Sequence, residues 1–101
     1  MTLKTTPFDP AEYLDDDEAI AAYMDEALET GDASFIAKAL GDVARAHGMA
    51  QIAKETGLSR ESLYKALSAD GNPEFATMLR VMNALGLRFT VSARMPAAPP
   101  A

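Results

Sequence analysis

Seven side chains within fifteen residues carry the chemistry of this chain: Gln51, Ser59, Arg60, Glu61, Ser62, Tyr64 and Lys65. Guanidinium and ammonium groups neutralise phosphates, and an arginine fork also fits the O6 and N7 edge of guanine. Hydroxyl and amide groups bond phosphates or base edges. Arg60 and Lys65 are therefore expected on phosphate or guanine, Ser59 and Ser62 on phosphates or base edges, and Tyr64 on the backbone or a thymine methyl. Gln51 is placed to bond a phosphate, and Glu61 shares the outer face with the others. Together these groups suit double-stranded DNA, provided that two short elements hold them outward.

The stretch from Met49 to Leu67 supplies those elements. It reads as a helix, a tight turn and a second helix. Ala53 must be small because the second helix crosses close above it. Gly57 falls where the chain leaves the first helix and needs a left-handed backbone. Leu58 fills the gap between the helices, and Ser59 is placed to cap the second. Ile52, Leu63 and Leu67 point into the angle. A helix-turn-helix of this kind sets its second helix in the major groove. The plainer alternative is a packed corner of a helical bundle with a solvated polar face. The coincidence of small residue, Gly, buried Leu and Ser cap at these offsets favours DNA.

The charge balance looks wrong for a DNA binder until it is divided along the chain. Over 101 residues the net charge is −6. Residues 1–44 hold eleven acids against Lys4 and Lys38, a balance of −9, while residues 45–101 hold seven bases against Glu55, Glu61, Asp70 and Glu74, a balance of +3. The helix-turn-helix lies in the basic part. Two faces of opposite sign imply two different partners.

Length and a hydrophobic content of 49% fit one compact domain. Cysteine is absent, which rules out disulfides and thiolate metal sites and is compatible with the reducing cytoplasm, the expected location. The N-terminus, with Lys4 and no apolar run, does not read as a signal peptide, and no apolar stretch has the length of a membrane span.

Around the motif the chain reads as helices. Residues 1–15, with Pro7 and Pro10, are expected to form an extended arm with Phe8, Tyr13 and Leu14 packing onto the domain. From Asp16 or Asp17 to Thr30, Ile20, Tyr23, Met24, Ala27 and Leu28 form an apolar stripe. Asp15, Asp16, Asp17 and Glu18 sit where a helix start favours negative charge. Gly31 ends that helix, and Asp32 caps a second carrying Phe35, Ile36, Ala39, Leu40 and Val43, which ends near His47 and Gly48. After the motif, Asn72 is expected to cap and Pro73 to open a fifth helix along Phe75, Met78, Leu79, Met82 and Leu85. Residues 94–101, rich in proline, read as a disordered tail.

Leu87-Arg88-Phe89-Thr90-Val91-Ser92 alternates apolar and polar residues and reads as a short strand. A strand needs a neighbour, and no second strand is evident. Its partner would be a second copy, with Leu87, Phe89 and Val91 in a dimer seam, or a different protein. Alternatively the segment lies extended across the helices.

From Phe8 to about Arg94 the chain resembles the small antidote proteins of addiction modules, within the phage-repressor-like helix-turn-helix regulators (HigA-like). The resemblance rests on Phe8-Asp9 with Glu12-Tyr13-Leu14, on Ala39-Leu40-Gly41-Asp42-Val43-Ala44-Arg45-Ala46, on Gly57-Leu58-Ser59-Arg60-Glu61-Ser62-Leu63-Tyr64-Lys65-Ala66-Leu67, on Gly71-Asn72-Pro73 and on Ala84-Leu85-Gly86-Leu87. It departs at Ala69-Asp70, where a proline is expected. The chain reads as an all-α, five-helix, phage-repressor-like domain over 16–93 with a short C-terminal strand. The resemblance implies a reading helix from Ser59 to about Ser68, and an antitoxin that binds a small basic toxin of the RelE/ParE-like type and represses its own operon. Candidate toxin contacts are Phe8, Tyr13, Leu14, Asp16, Asp17 and Tyr23; Phe8, Tyr13 and Leu14 suit the core equally, and for Tyr23 the core is the favoured reading. The family also includes lone regulators without a toxin gene. Such a DNA-only role is the alternative, and neither the acidic half nor the strand is needed for it.

Catalysis is not expected. His47, the single histidine, sits at a helix end where it caps carbonyls. The carboxylates from Asp15 to Glu18 point in different directions along a helix start and do not form a metal site. No phosphate-cradling glycine loop or serine-nucleophile motif is present, and no cofactor is implied.

Overall fold

The computed structural model describes residues 16–94. Among them are five helices: α1 (Asp17–Glu29), α2 (Ala33–His47), α3 (Met49–Thr56), α4 (Arg60–Ala66) and α5 (Phe75–Ala84). The expected arm over 1–15, with Phe8, Tyr13 and Leu14, lies outside the described residues, as does the tail beyond Arg94.

Side-chain caps start the first two helices. Asp16 Oδ1 accepts the Ala19 N–H at 2.7 Å, and Asp32 Oδ1 accepts those of Ser34 and Phe35 at 3.0 and 3.2 Å. Each cap satisfies N–H groups that a helix start leaves without an internal partner. α1 packs on α2, α2 on α3 and α4, and α3 on α4 and α5. The core lies between them: Ile20, Met24 and Ala27 from α1, Leu40, Val43 and Ala44 from α2, Met49 and Ile52 from α3, Leu63 from α4, and Val81 and Met82 from α5.

The apolar stripes are narrower than their sequence periodicity. Leu28, Phe35 and Leu79, expected inside, are exposed, and Phe75 is 67% exposed. Val81, not expected in the stripe of α5, is fully buried. The buried line of α5 runs through Val81, Met82 and Leu85, with Met78 partly covered, so its core contact belongs to its C-terminal turns. The N-terminal turn projects beyond the core, where Phe75 meets the Phe89 ring at 5.8 Å between centroids.

Two expected boundaries also move, and one expected element is absent. α5 starts two residues late: its N-cap is Glu74, without a side-chain capping bond, so neither Asn72 nor Pro73 plays its expected part. The chain leaving α4 first closes a turn, Gly71 N–H to Ser68 C=O at 2.9 Å, and the next residues are spent reaching α5. The reading helix ends at Ala66, short of Ser68, because Leu67 leaves helical geometry (φ −99°, ψ 43°). The strand expected over 87–92 is not formed, and no strand occurs among the described residues. Leu87 and Phe89 turn onto the helices and pack against the core, while Val91 is 97% exposed. With no second strand among the described residues, the apolar positions Leu87 and Phe89 are satisfied by packing.

Two neighbouring residues of α2 fix its partners. At Gly41 the end of α4 comes so close that a Cβ would stand 2.3 Å from the Leu67 carbonyl oxygen. Only the absence of a side chain permits that backbone-to-backbone approach. Asp42, almost fully buried, accepts hydrogen bonds from Tyr23 Oη of α1 at 2.8 Å, from Lys38 Nζ at 3.3 Å, and from Arg45. Burial alone pushes the Asp42 carboxyl up. The hydrogen bonds from Tyr23 and Arg45, with the charge and hydrogen bond of Lys38, outweigh it and hold the carboxyl below its ordinary value.

Candidate nucleic-acid interface

The corner between α3 and α4 is built as its residue types require. Gly57 adopts a left-handed backbone (φ 78°, ψ 9°), and its N–H bonds the Ala53 carbonyl at 2.9 Å. Thr56 braces the turn: its hydroxyl bonds the Ile52 carbonyl at 2.7 Å and accepts the Leu58 N–H at 3.2 Å. Leu58 is half-buried against the core, between fully buried Ile52 and Leu63. Ser59 Oγ then caps α4 by accepting the Ser62 N–H at 3.0 Å.

With Leu63 and Leu67 turned inward, the rest of α4 faces outward. Arg60, Glu61, Ser62, Tyr64 and Lys65 are all exposed, as are Ser59 before them and Gln51 in the first turn of α3. Neither Arg60 nor Lys65 forms an ion pair among the described residues, so both charges remain available to an external anion. All seven expected DNA contacts thus belong to one exposed corner. Ser59 is more committed than the others: besides the cap, its Oγ lies 2.8 Å from Ser62 Oγ. The hydroxyl pair sits at the N-terminal end of α4, where the helix dipole favours a phosphate.

The other candidates are distributed differently. Asp16 and Asp17 are exposed at the start of α1. Tyr23 is half-buried with its hydroxyl on Asp42, an inward structural position. Phe8, Tyr13 and Leu14 lie outside the described residues. Leu87 and Phe89 face their own core, leaving Val91 as the exposed member of the expected seam. His47 ends α2, with Nε2 4.0 Å from Glu55 Oε1. Among the described residues no group of three or more His, Cys, Asp or Glu is placed to hold a metal ion, and no helix is long and apolar enough to cross a membrane.

Sequence reasoning missed Asp42 and Thr56. Asp42 was legible in part: Lys38 and Arg45 stand at i−4 and i+3, the spacing of helical charge pairs. Its third donor, Tyr23, comes from another helix and left no local signal.

A family model described as probable addiction module antidote protein matches residues 4–93 of this chain. An uncharacterized protein of Haemophilus influenzae is 52% identical over 91 residues, which cover 90% of this chain and 94% of that protein. No solved structure matches. The match runs through α1 to α5 and includes the whole α3–α4 corner: the chain belongs to the family of probable addiction module antidote proteins.

Proposed function

We propose that this protein is an antitoxin that also binds operator DNA and represses its own operon, in the manner of phage-repressor-like, HigA-like regulators. Family membership supports the antitoxin role. The observation that carries the DNA reading is the outer face of α4, where Arg60, Ser62, Tyr64 and Lys65 stand exposed behind a Ser59 cap, with neither base neutralised. In this reading α4 enters the major groove. Arg60 and Lys65 take phosphate or guanine, Ser62 and Gln51 take phosphates, Tyr64 takes the backbone or a thymine methyl, and Glu61 lies among them able to accept from cytosine.

The active form is a homodimer in the cytoplasm. One short reading helix covers little DNA, and a second copy adds a half-site about 34 Å away. With Leu87 and Phe89 turned inward, the outer face of α5, where Phe75 and Leu79 are exposed, suits the seam better than residues 87–92. The protein partner is a small basic toxin of the RelE/ParE-like type, for which the −9 balance of residues 1–44 provides electrostatic attraction. No catalytic role is assigned.

Footprinting of the DNA upstream of the protein's own gene tests the DNA reading. The wild-type chain is expected to protect two half-sites, and Arg60→Ala with Lys65→Ala to lose that protection. Equal protection by the double variant would refute the assignment of α4.

A further inference from the structure

The region farthest in chemistry from α4 is an open groove between α1 and the chain that follows α5. One hollow of about 420 Å³ has Met24, Leu28, Met82, Leu87 and Phe89 in its lining, with Asp25 and Arg88 also present. A second, of about 620 Å³, is lined by Asp25, Leu28, Glu29 and residues 90–94. Asp25, Leu28 and Thr90 belong to both, so the two form one continuous trough.

Three observations bear on what fills it. The first hollow is floored by Met24, Met82, Leu87 and Phe89, the second is lined mainly by polar groups, and Leu28 and Val91 are exposed along them. The α1 wall is negative: Asp25 and Glu29 line the trough, the same helix carries Asp17, Glu18 and Glu26 and no basic residue, and none of these carboxylates forms an ion pair among the described residues. Arg88 and Arg94 line the opposite wall. Finally, the backbone from Arg88 to Arg94 makes no hydrogen bond to any described residue, although Leu87 N–H still bonds the Met82 carbonyl at 2.9 Å. Unpaired donors and acceptors beside an apolar trough form an edge to which another chain can add.

We propose that this trough is the docking surface for the toxin, and that its occupant is an extended, positively charged segment of that protein. The segment would pair its backbone with residues 88–94, place an apolar side chain over Leu28 and Phe89, and set Lys or Arg against Asp25 and Glu29. The inference rests on the antitoxin reading and adds where, and by what chemistry, the partner binds. A second copy of this chain suits the trough less well. Within the trough Asp25 and Glu29 face Arg88 and Arg94, but α1 as a whole carries five carboxylates and no base, so two copies would bring their α1 helices together as like charge, whereas a basic segment is attracted.

The test uses the full-length chain and the purified small protein encoded by the adjoining reading frame, with affinity measured by titration calorimetry. Asp25→Lys with Glu29→Lys is expected to weaken binding about tenfold or more in dilute buffer, and the difference should shrink in high salt as the charges are screened. Unchanged footprinting by the same variant shows that it remains folded. Hydrogen exchange should show the amides of 88–94 open in the free protein and protected in the complex. If the wild-type chain binds but charge reversal has no effect, or protection appears elsewhere, the docking surface is wrong and the antitoxin reading survives. If the wild-type chain does not bind this protein at all, the antitoxin reading fails and takes the docking surface with it.

Discussion

The α3–α4 corner and the trough beside α1 differ in how far each is completed by its own chain. In the corner, Thr56, Gly57 and Ser59 satisfy the backbone of the turn, Leu63 is wholly buried, and the exposed surface of α4 is almost entirely polar. In the trough, apolar side chains stand exposed, and among the described residues its carboxylates form no ion pair and a stretch of its backbone has no hydrogen-bond partner. A surface that reads DNA must be preorganised, because the phosphates and base edges it meets have fixed geometry. A surface left incomplete is suited to a partner that completes it. Adjacent residues of α2 serve the two regions: Gly41 seats α4, and Asp42 holds α1.

The largest effect is expected at Gly41. A methyl group there meets the Leu67 backbone, which cannot swing aside as a side chain would. Overpacking of this kind costs about 1–3 kcal/mol, and the rigid neighbour puts Gly41→Ala at the upper end. Urea denaturation should show the loss, with DNA binding falling in parallel as α4 loses its seat. An unchanged unfolding midpoint would mean that α2 and α4 separate freely.

Arg60→Ala should strike the corner alone. Removing a base-reading arginine costs about 1–3 kcal/mol in operator affinity and relaxes specificity at its position. Lys65→Ala, if its contact is a phosphate, should lower the salt dependence of binding by about one unit of slope. Neither change should move the unfolding midpoint or the affinity for a protein partner. Loss of partner binding by either variant would merge the two surfaces that the structure separates.

Tyr23→Phe tests the other side. The variant removes one of three donors to a buried carboxylate, at a cost of about 1–2 kcal/mol. The effect depends on pH. The Asp42 carboxyl is held below its ordinary value of 3.8, so its contribution to stability is complete above that value and is lost as pH falls through the depressed one. Without the Tyr23 bond the depression is smaller, and acid unfolding should begin at a higher pH. Identical acid titrations of the two proteins, followed by circular dichroism, would show that the tyrosine bond adds nothing.

Local chemistry made the corner legible before the fold was known. A left-handed glycine, a serine cap and inward leucines depend on neighbours within a few residues, and Gly57, Ser59, Leu63 and Leu67 all stand where spacing put them. Legibility failed where distant segments decide. Periodicity placed Phe35 and Phe75 inside, but whether an apolar side chain is covered depends on which helix crosses above it, and there none of the described helices does. The alternation at 87–92 suggested a strand, yet the same pattern is satisfied by Leu87 and Phe89 packing on the helices. Gly41 stood out only within the resemblance, since nothing near it in sequence announces that the end of α4 will touch it.

The smallest effect separates two roles of one residue at the corner. Ser59 Oγ accepts the Ser62 N–H and lies beside the Ser62 hydroxyl, so Ser59 both begins α4 and faces the proposed phosphate. Ser59→Ala removes both roles. It should cost about 1 kcal/mol of stability, typical of a lost cap, with some loss of operator affinity. Ser59→Asp separates them. A carboxylate caps as well as a hydroxyl and suits the positive end of the helix, so thermal stability should return to the wild-type level. The same negative charge would stand against DNA phosphate, so operator affinity should fall below that of the alanine variant. If Ser59→Asp restored stability and affinity together, no phosphate would approach the N-terminal end of α4, and the way α4 is laid against DNA would have to be revised.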